Sequence, residues 1–311
     1  MKAITIHQYG GPEVLQLEDI PVPSVTTDEV LIKVYASGVN PVDWKIREGL
    51  RKSAFPAPLP RILGWDVSGV IEAVGAEVTE FKKGDQVYSR PDITRNGTYA
   101  EFITVRASEV AFKPKTIDHV TAASVPLAAL TAWQALFDCG NLEAGQKVLI
   151  LGASGGVGHF AVQLAKWKKA YVIGVCSSKN VDFLKSLRAD EVIDYTTTHY
   201  QDKVKNVDLV FDAVGGDAKL HGWKVLKKGG NFVSITGKPE EDDPDAKGKH
   251  AHGFVVRPNK NQLTQLAKLI DDGTVRPVVS TVLPFSDVRK AHDILQQGKN
   301  VRGKIVLKVV E

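Results

Sequence analysis

The chain has 311 residues, a length that favours two domains over a single hydrophobic core. Its 43% hydrophobic and 24% charged residues are those of a soluble globular protein. A net charge of +4, from 40 basic and 36 acidic residues spread evenly along the chain, gives no electrostatic case for nucleic acid.

Two cysteines, Cys139 and Cys176, are too few for a disulfide framework and suit a reducing cytoplasm. The opening "MKAITIHQYGG" lacks the apolar stretch of a secretory signal. The most apolar long window, 119–137, is interrupted by Pro126, Gln134 and several hydroxyls, and reads as a buried helix. No run reaches the ~18–20 residues of a membrane span.

In chain order, the first 115 or so residues carry short β-branched runs ("EVLIKVYASGV", "DVSGVIEAVG", "DQVYSR", "YAEFITVR") separated by Gly, Pro and Asp. This pattern predicts an antiparallel, barrel-like domain. From residue 147 apolar strands alternate with amphipathic helices: "KVLILG", "GHFAVQLAKWKK", "YVIGVC", "VDFLKSL", "EVIDY", "VDLVFDAV", "GDAKLHGWKVLK", "NFVSIT". That alternation predicts an α/β domain with a parallel sheet covered on both faces. Residues 237–253 read as the clearest loop, with His250 and His252 solvated rather than metal-bound. The helical "SDVRKAHDILQQG" and the strand "GKIVLKVVE" return to the first domain. The expected division is 1–118 with 276–311, and 119–275 between them.

"VLILGASGGVGHFAVQLAK" places Gly152, Gly155, Gly156 and Gly158 between a strand and a helix. Glycines there let backbone approach a pyrophosphate, and the new helix offers free N–H groups to the anion. The next strand ends in Cys176, Ser177, Ser178, Lys179 and Asn180, with no acid before Asp182. An enzyme for NAD usually carries Asp or Glu there. Hydroxyls, an amide and a cation suit the 2′-phosphate of NADPH, although Ser177 can equally cap the following helix.

Taken together, "GVNPVDWKIREG", "LGWDVSGVIEAVGAEVTEFKKGDQV", "ASVPLAALTAWQAL", "GASGGVGHFAVQLAK", "ADEVIDY" and "GKIVL" resemble the zinc-free quinone oxidoreductases (zeta-crystallin-like) of the medium-chain dehydrogenase/reductase superfamily, near its enone and alkenal reductase branch. The resemblance implies a GroES-like β-barrel domain, a Rossmann doubly wound sheet, a cytoplasmic homodimer and NADPH as cofactor. It also implies the site residues. Ser154, Gly155, Gly156 and Val157 would hold the diphosphate, and Ser177, Lys179 and Asn180 the 2′-phosphate, with Tyr195 flanking the adenosine phosphate. Asn40 and Thr131 would line the nicotinamide, Val214, Ile235 and Thr236 would border adenosine and ribose, and Phe254 and Val256 would close over the nicotinamide. Where the family usually has Gly in "LGADEVIDY" this chain has Arg188, which costs on the order of 1 kcal/mol if the backbone is left-handed.

Zinc relatives of the superfamily bind the metal through a Cys in the stretch matching "SGVNPVD" and a His–Glu pair after the glycine matching Gly64. This chain has Asn40 in the first place and Trp65–Asp66 in the second, with no cysteine before 139. Asp66 alone cannot hold Zn²⁺. Without that Lewis acid, alcohol oxidation gives way to reduction of a quinone or an α,β-unsaturated carbonyl. Lys45 is the candidate catalytic side chain, orienting the cofactor or donating to the substrate carbonyl, with a plain surface lysine as the other reading; Asn40 stands beside it. Asp43 either pairs with Lys45 or makes a structural hydrogen bond. Trp44 and Trp65 shape an aromatic slot or pack in the core. Tyr88 or water supplies the proton. An enoyl-thioester reductase, and an NADPH-binding protein with a structural or RNA-binding role, are the alternative functions.

Overall fold

A computed structural model describes residues 1–298 and 302–310. The strands and helices run β1 (Lys2–Ile6), β2 (Gln16–Asp19), β3 (Glu29–Val39), α1 (Pro41–Arg47), β4 (Arg61–Ile62), β5 (Val67–Val74), β6 (Gln86–Ser89), β7 (Phe102–Arg106), β8 (Val110–Phe112), α2 (His119–Ala123) and α3 (Pro126–Trp133). The alternating half follows: β9 (Lys147–Leu151), α4 (Gly158–Trp167), β10 (Tyr171–Cys176), α5 (Val181–Ser186), β11 (Glu191–Asp194), α6 (Tyr200–Lys203), β12 (Val207–Asp212), α7 (Asp217–Leu220), α8 (Gly222–Val225), β13 (Leu226–Ser234) and β14 (His250–Gly253). The chain closes with α9 (Lys260–Asp271), β15 (Val279–Pro284), α10 (Val288–Gln297) and β16 (Lys304–Lys308).

Contacts divide the chain into two compact units: 1–127 with 257–273 and 277–311, and 128–256 with 274–276. The first unit carries a three-stranded sheet β2-β1-β4 and a seven-stranded sheet ordered β15-β16-β3-β5-β6-β8, with β7 paired to β3. Its pairings are antiparallel except for β15 with β16. This is the barrel-type unit, and the terminal strand returns to it because Ile305 to Lys308 pair with Val39 to Ala36. Val30, Ile32, Val34, Val67, Ile71 and Val87 and their neighbours fill its core. β-branched side chains dominate there because they pack well on a pleated surface.

The second unit is a six-stranded sheet ordered β11-β10-β9-β12-β13-β14, parallel throughout. Numbered from β9, that order is 3-2-1-4-5-6, the doubly wound Rossmann arrangement. Strand order reverses between β9 and β12, so the loops leaving their carboxyl ends frame the crevice where such sheets take ligands.

Three local expectations differ from the structure. The window 119–137 is not one helix: α2 ends before Pro126, which disfavours helix at the residue before it, and a π-helical stretch (Gln134–Cys139) follows α3. The helix expected through "GDAKLHGWKVLK" is two short ones separated at His221. Residues 250–253, expected in a loop, form the edge strand β14, with Asn231 opposite His250 and His252 Nε2 3.0 Å from Asn231 Oδ1. An edge strand needs only backbone bonds on one side, so "HAHG" carries no apolar signature that would have marked it.

Candidate active site

In the second unit the turn after β9 is shaped by its glycines. Gly152 has φ +76°, and a Cβ there would lie 2.5 Å from Val214 Cγ2. A Cβ on Gly158 would lie 2.1 Å from the Gly152 carbonyl, so α4 starts closer to the strand than any side chain allows. Gly155 N–H bonds the Gly152 carbonyl at 3.0 Å, and His159 Nδ1 donates to the Gly155 carbonyl at 3.0 Å. Ser154, Gly155, Gly156 and Val157 thus sit half-buried in a turn that opens onto the first N–H groups of α4.

Asn180 ties this turn to the end of β10, its Nδ2 donating to Ser154 Oγ (3.1 Å) and Ser177 Oγ (3.4 Å). Ser177 makes no side-chain capping bond to the following turn. Tyr195 is 60% exposed, and its N–H bonds the Cys176 carbonyl. Sequence reasoning missed Asp194. The parallel register sets it opposite Cys176, and its carboxylate takes the Ser178 hydroxyl (2.6 Å) and the Thr196 hydroxyl (2.7 Å). Those hydroxyls hold its pKa below the ordinary carboxylate range. Ser178 is therefore committed to Asp194.

Asp212, at the end of β12, was also missed. It is fully buried and accepts from Val214 N–H (3.0 Å), Gly215 N–H (2.8 Å), Ser234 Oγ (2.6 Å) and Thr236 Oγ1 (2.9 Å). One carboxylate therefore fixes the loop of Val214 and the strand end carrying Ile235 and Thr236. Thr131 lies buried on α3, while Phe254 and Val256 are half-buried beyond β14.

In the first unit, Asn40 (2% exposed), Asp66 (0%) and Lys304 (4%) meet in a buried corner. Asn40 Nδ2 donates to Asp66 Oδ2 at 2.8 Å, and Asp66 Oδ1 accepts the Leu127 N–H. The Lys304 ammonium donates to Asn40 Oδ1, to the Val39 carbonyl (3.2 Å) and to Asp66 Oδ2 (3.3 Å). Burial pushes the Asp66 carboxyl upward, and Lys304 is the strongest influence against that shift. Gly38 leaves room for the acid, since a Cβ there would lie 2.7 Å from Asp66 Oδ2.

Asp43 belongs to a second buried chain rather than to Lys45. Its Oδ2 accepts Asn40 N–H (2.7 Å) and the Tyr99 hydroxyl (2.8 Å), while Oδ1 finds no partner among the described residues. Arg47 donates to His292 Nδ1 at 3.2 Å, so Nε2 carries the ring proton and faces Tyr99 at 3.2 Å. Burial, outweighing its hydrogen bonds, raises the Asp43 pKa to about 7, while burial and then the Arg47 charge lower that of His292 to about 3. Lys45 is half-buried with Nζ 5.6 Å from the Trp44 ring centroid; burial, then Arg51, pushes its pKa down. Trp65 is fully buried under Arg61, and the Tyr88 hydroxyl is committed to the Leu263 carbonyl at 2.6 Å.

Comparison with known proteins agrees with this architecture. The alcohol dehydrogenase GroES-like domain matches residues 26–115, and the zinc-binding dehydrogenase domain matches residues 187–307. The NADPH-dependent alkenal/one oxidoreductase, chloroplastic, of Arabidopsis thaliana is 39% identical over 99% of this chain and 79% of its own length. The quinone oxidoreductase from Coxiella burnetii superposes with a TM-score of 0.90 at 36% identity, covering 100% of this chain and 99% of that one. The Escherichia coli quinone oxidoreductase, solved in complex with NADPH, superposes with a TM-score of 0.88 at 26% identity over 99% of this chain and 100% of that one. Among the described residues no helix is long and apolar enough to cross a membrane. The chain is an oxidoreductase that belongs to the quinone oxidoreductase family of the medium-chain dehydrogenase/reductase superfamily.

Proposed function

We propose that the protein reduces quinones or the activated C=C bonds of enones and alkenals with NADPH, and does so without zinc. The observation that carries the second clause is the Asn40–Asp66–Lys304 corner. The positions where zinc relatives place their ligands hold an amide and an acid already bonded to a lysine ammonium. A cation is thus built into the chain where those relatives bind one, and three donors, from Asn40, Lys304 and the Leu127 N–H, already engage both oxygens of the carboxylate.

The cofactor reading rests on the turn that Gly152 and Gly158 let pack tightly against Val214 and the start of α4, and on the Ser154–Ser177–Asn180 cluster. Ser154, Gly155, Gly156 and Val157 would take the diphosphate on backbone N–H groups and the helix dipole. Ser177, Lys179 and Asn180 would take the 2′-phosphate. Val214, Ile235 and Thr236 would border the adenosine and ribose, Tyr195 the adenosine phosphate, and Asn40, Thr131, Phe254 and Val256 the nicotinamide. When bound, NADPH supplies the hydride. The chain supplies the binding groups and the orientation, with Lys45, its ammonium partly desolvated, as the side chain that meets cofactor or substrate.

The sequence and site are also compatible with the cytoplasmic homodimer that the family resemblance implies. Steady-state oxidation of NADPH and NADH against a panel of quinones, enones, alkenals and enoyl thioesters tests the reading. Preferential turnover of NADPH with quinones or enones, unchanged after dialysis against a chelator, supports it. A folded sample that turns over none of them, or only after zinc is added, refutes it.

A further inference from the structure

Among the described residues three arginines are buried nearly completely: Arg47, Arg61 and Arg90, at 0%, 3% and 2% exposure. Arg47 bonds Gly10, Glu48, His292 and Gln296, and Arg61 bonds the carbonyls of Phe55 and Ile93. Arg90 differs. Its Nε has no hydrogen-bond partner, and among the described residues no hydrogen bond or ion pair reaches the guanidinium at all. A guanidinium carries five N–H donors; here the buried Nε–H is left without an acceptor inside the fold, and the Nη groups have no protein partner among the described residues.

The nearby acids do not serve it. Asp66, Asp92 and Glu109 are close enough to act on its charge, yet each is engaged elsewhere. Asp66 holds Lys304 and Asn40, and Asp92 and Glu109 each face Arg106 at 3.4 Å. The Lys304 ammonium has three donors and three acceptors in reach, which leaves it nothing to offer a ligand.

The sheet register also places Arg90. Val67 lies opposite Ser89 on the antiparallel pair β5 and β6, so Arg90 follows at the place facing Asp66, beside the zinc-free corner. Residues opposite one another on such a pair share a face.

We propose that Arg90 is the oxyanion-binding residue of the acceptor site, taking the carbonyl oxygen of a quinone or enone and holding the negative charge that develops on it. This rests on the proposed reduction of such acceptors. As the β-carbon of an enone gains a hydride from the reduced nicotinamide, which is thereby oxidised, the C=C pair shifts to make a new C=C bond to the carbonyl carbon. The former C=O pair moves onto oxygen as an enolate, and the α-carbon then takes a proton from water. In a quinone the same transfer to a ring carbon gives an enolate anion; that carbon then loses a proton to water and both oxygens take protons from water, giving the hydroquinone for a net uptake of one hydride and one proton. A donor fixed in a water-poor site is worth most at the moment that oxygen becomes charged.

The test uses 4-nitrophenol as a stable phenolate probe, titrated against the full-length chain and followed by its visible absorbance, alongside steady-state kinetics with a neutral enone. The wild-type chain is expected to bind the probe as nitrophenolate at a pH where the free probe is still partly protonated. R90M is expected to lose that preference and R90K to keep part of it. R90M should lower kcat for the enone by roughly 10²-fold with the KM for NADPH unchanged, a split that a packing defect would not give.

Equal phenolate binding by wild type and R90M overturns the proposal, as does an unchanged kcat. If R90M does not fold, the wild-type titration still decides, because no preference for phenolate refutes an anion site. Phenolate preference in a chain that turns over no quinone or enone would remove the proposed reaction while leaving Arg90 as an anion site.

Discussion

Replacing Lys304 by Met would leave the Asp66 carboxyl, the Asn40 amide oxygen and the Val39 carbonyl in a buried corner without their common donor. Asp66 is fully buried, so its charge cannot be made up by water. Removing one partner of a buried ion pair costs about 3–5 kcal/mol, a large share of a total stability of about 5–15 kcal/mol. The variant can lower that cost by protonating Asp66, which fixes the pH dependence. A carboxyl whose folded pKa lies above its unfolded value of about 3.9 gives its full contribution below that value and loses it as pH rises through the folded pKa. K304M should therefore be closest to wild type near pH 4 and furthest from it near pH 8. K304M combined with D66N should recover part of the loss, because the uncompensated charge is gone. Urea unfolding followed by the fluorescence of the five tryptophans across pH measures this. A loss under about 1 kcal/mol that does not vary with pH would refute the buried ion pair.

Arg188 adopts φ +67° after α5, so R188G should stabilise the chain by about 1 kcal/mol in thermal melts; a lower melting temperature would contradict the strain. The Asp43 pKa, raised to about 7, lies above its unfolded value, so its contribution is complete near pH 4 and fades as pH rises towards 8. D43N should flatten that part of the stability profile, and an unaltered slope would assign it elsewhere. K179E should raise the KM for NADPH much more than that for NADH, and an unchanged ratio would remove Lys179 from the phosphate site.

The parts of this structure legible in the sequence are those set by local chemistry. The glycine turn after β9 was readable because strand, glycines and helix follow within 20 residues, and the left-handed Arg188 because a glycine is expected at the end of that helix. Asp194, Asp212, Lys304 and Arg90 were not found. Each acquires its meaning from partners brought together by strand order: Lys304 lies 238 residues from Asp66, and Asp212 lies 22 and 24 from the hydroxyls it holds. One signal was available. An acid opening an apolar strand requires a buried donor, and the lysine at the start of "GKIVL", a strand expected to return to the same domain, was a candidate for it. Asp194 also tempers the reading of the β10 end: "no acid before Asp182" holds along the chain, yet the parallel sheet brings a carboxylate alongside from β11.

The central claim is hydride transfer from NADPH to carbon of an activated alkene. Its most direct measurement uses NADPH labelled with deuterium at the reactive C4 position and an enone, with the product analysed by mass spectrometry and NMR. The account predicts one deuterium at the β-carbon and an unlabelled proton from solvent at the α-carbon, with the same yield after chelator treatment. Deuterium at the carbonyl carbon, giving an allylic alcohol, or oxidation of NADPH with no label in the organic product, would contradict it.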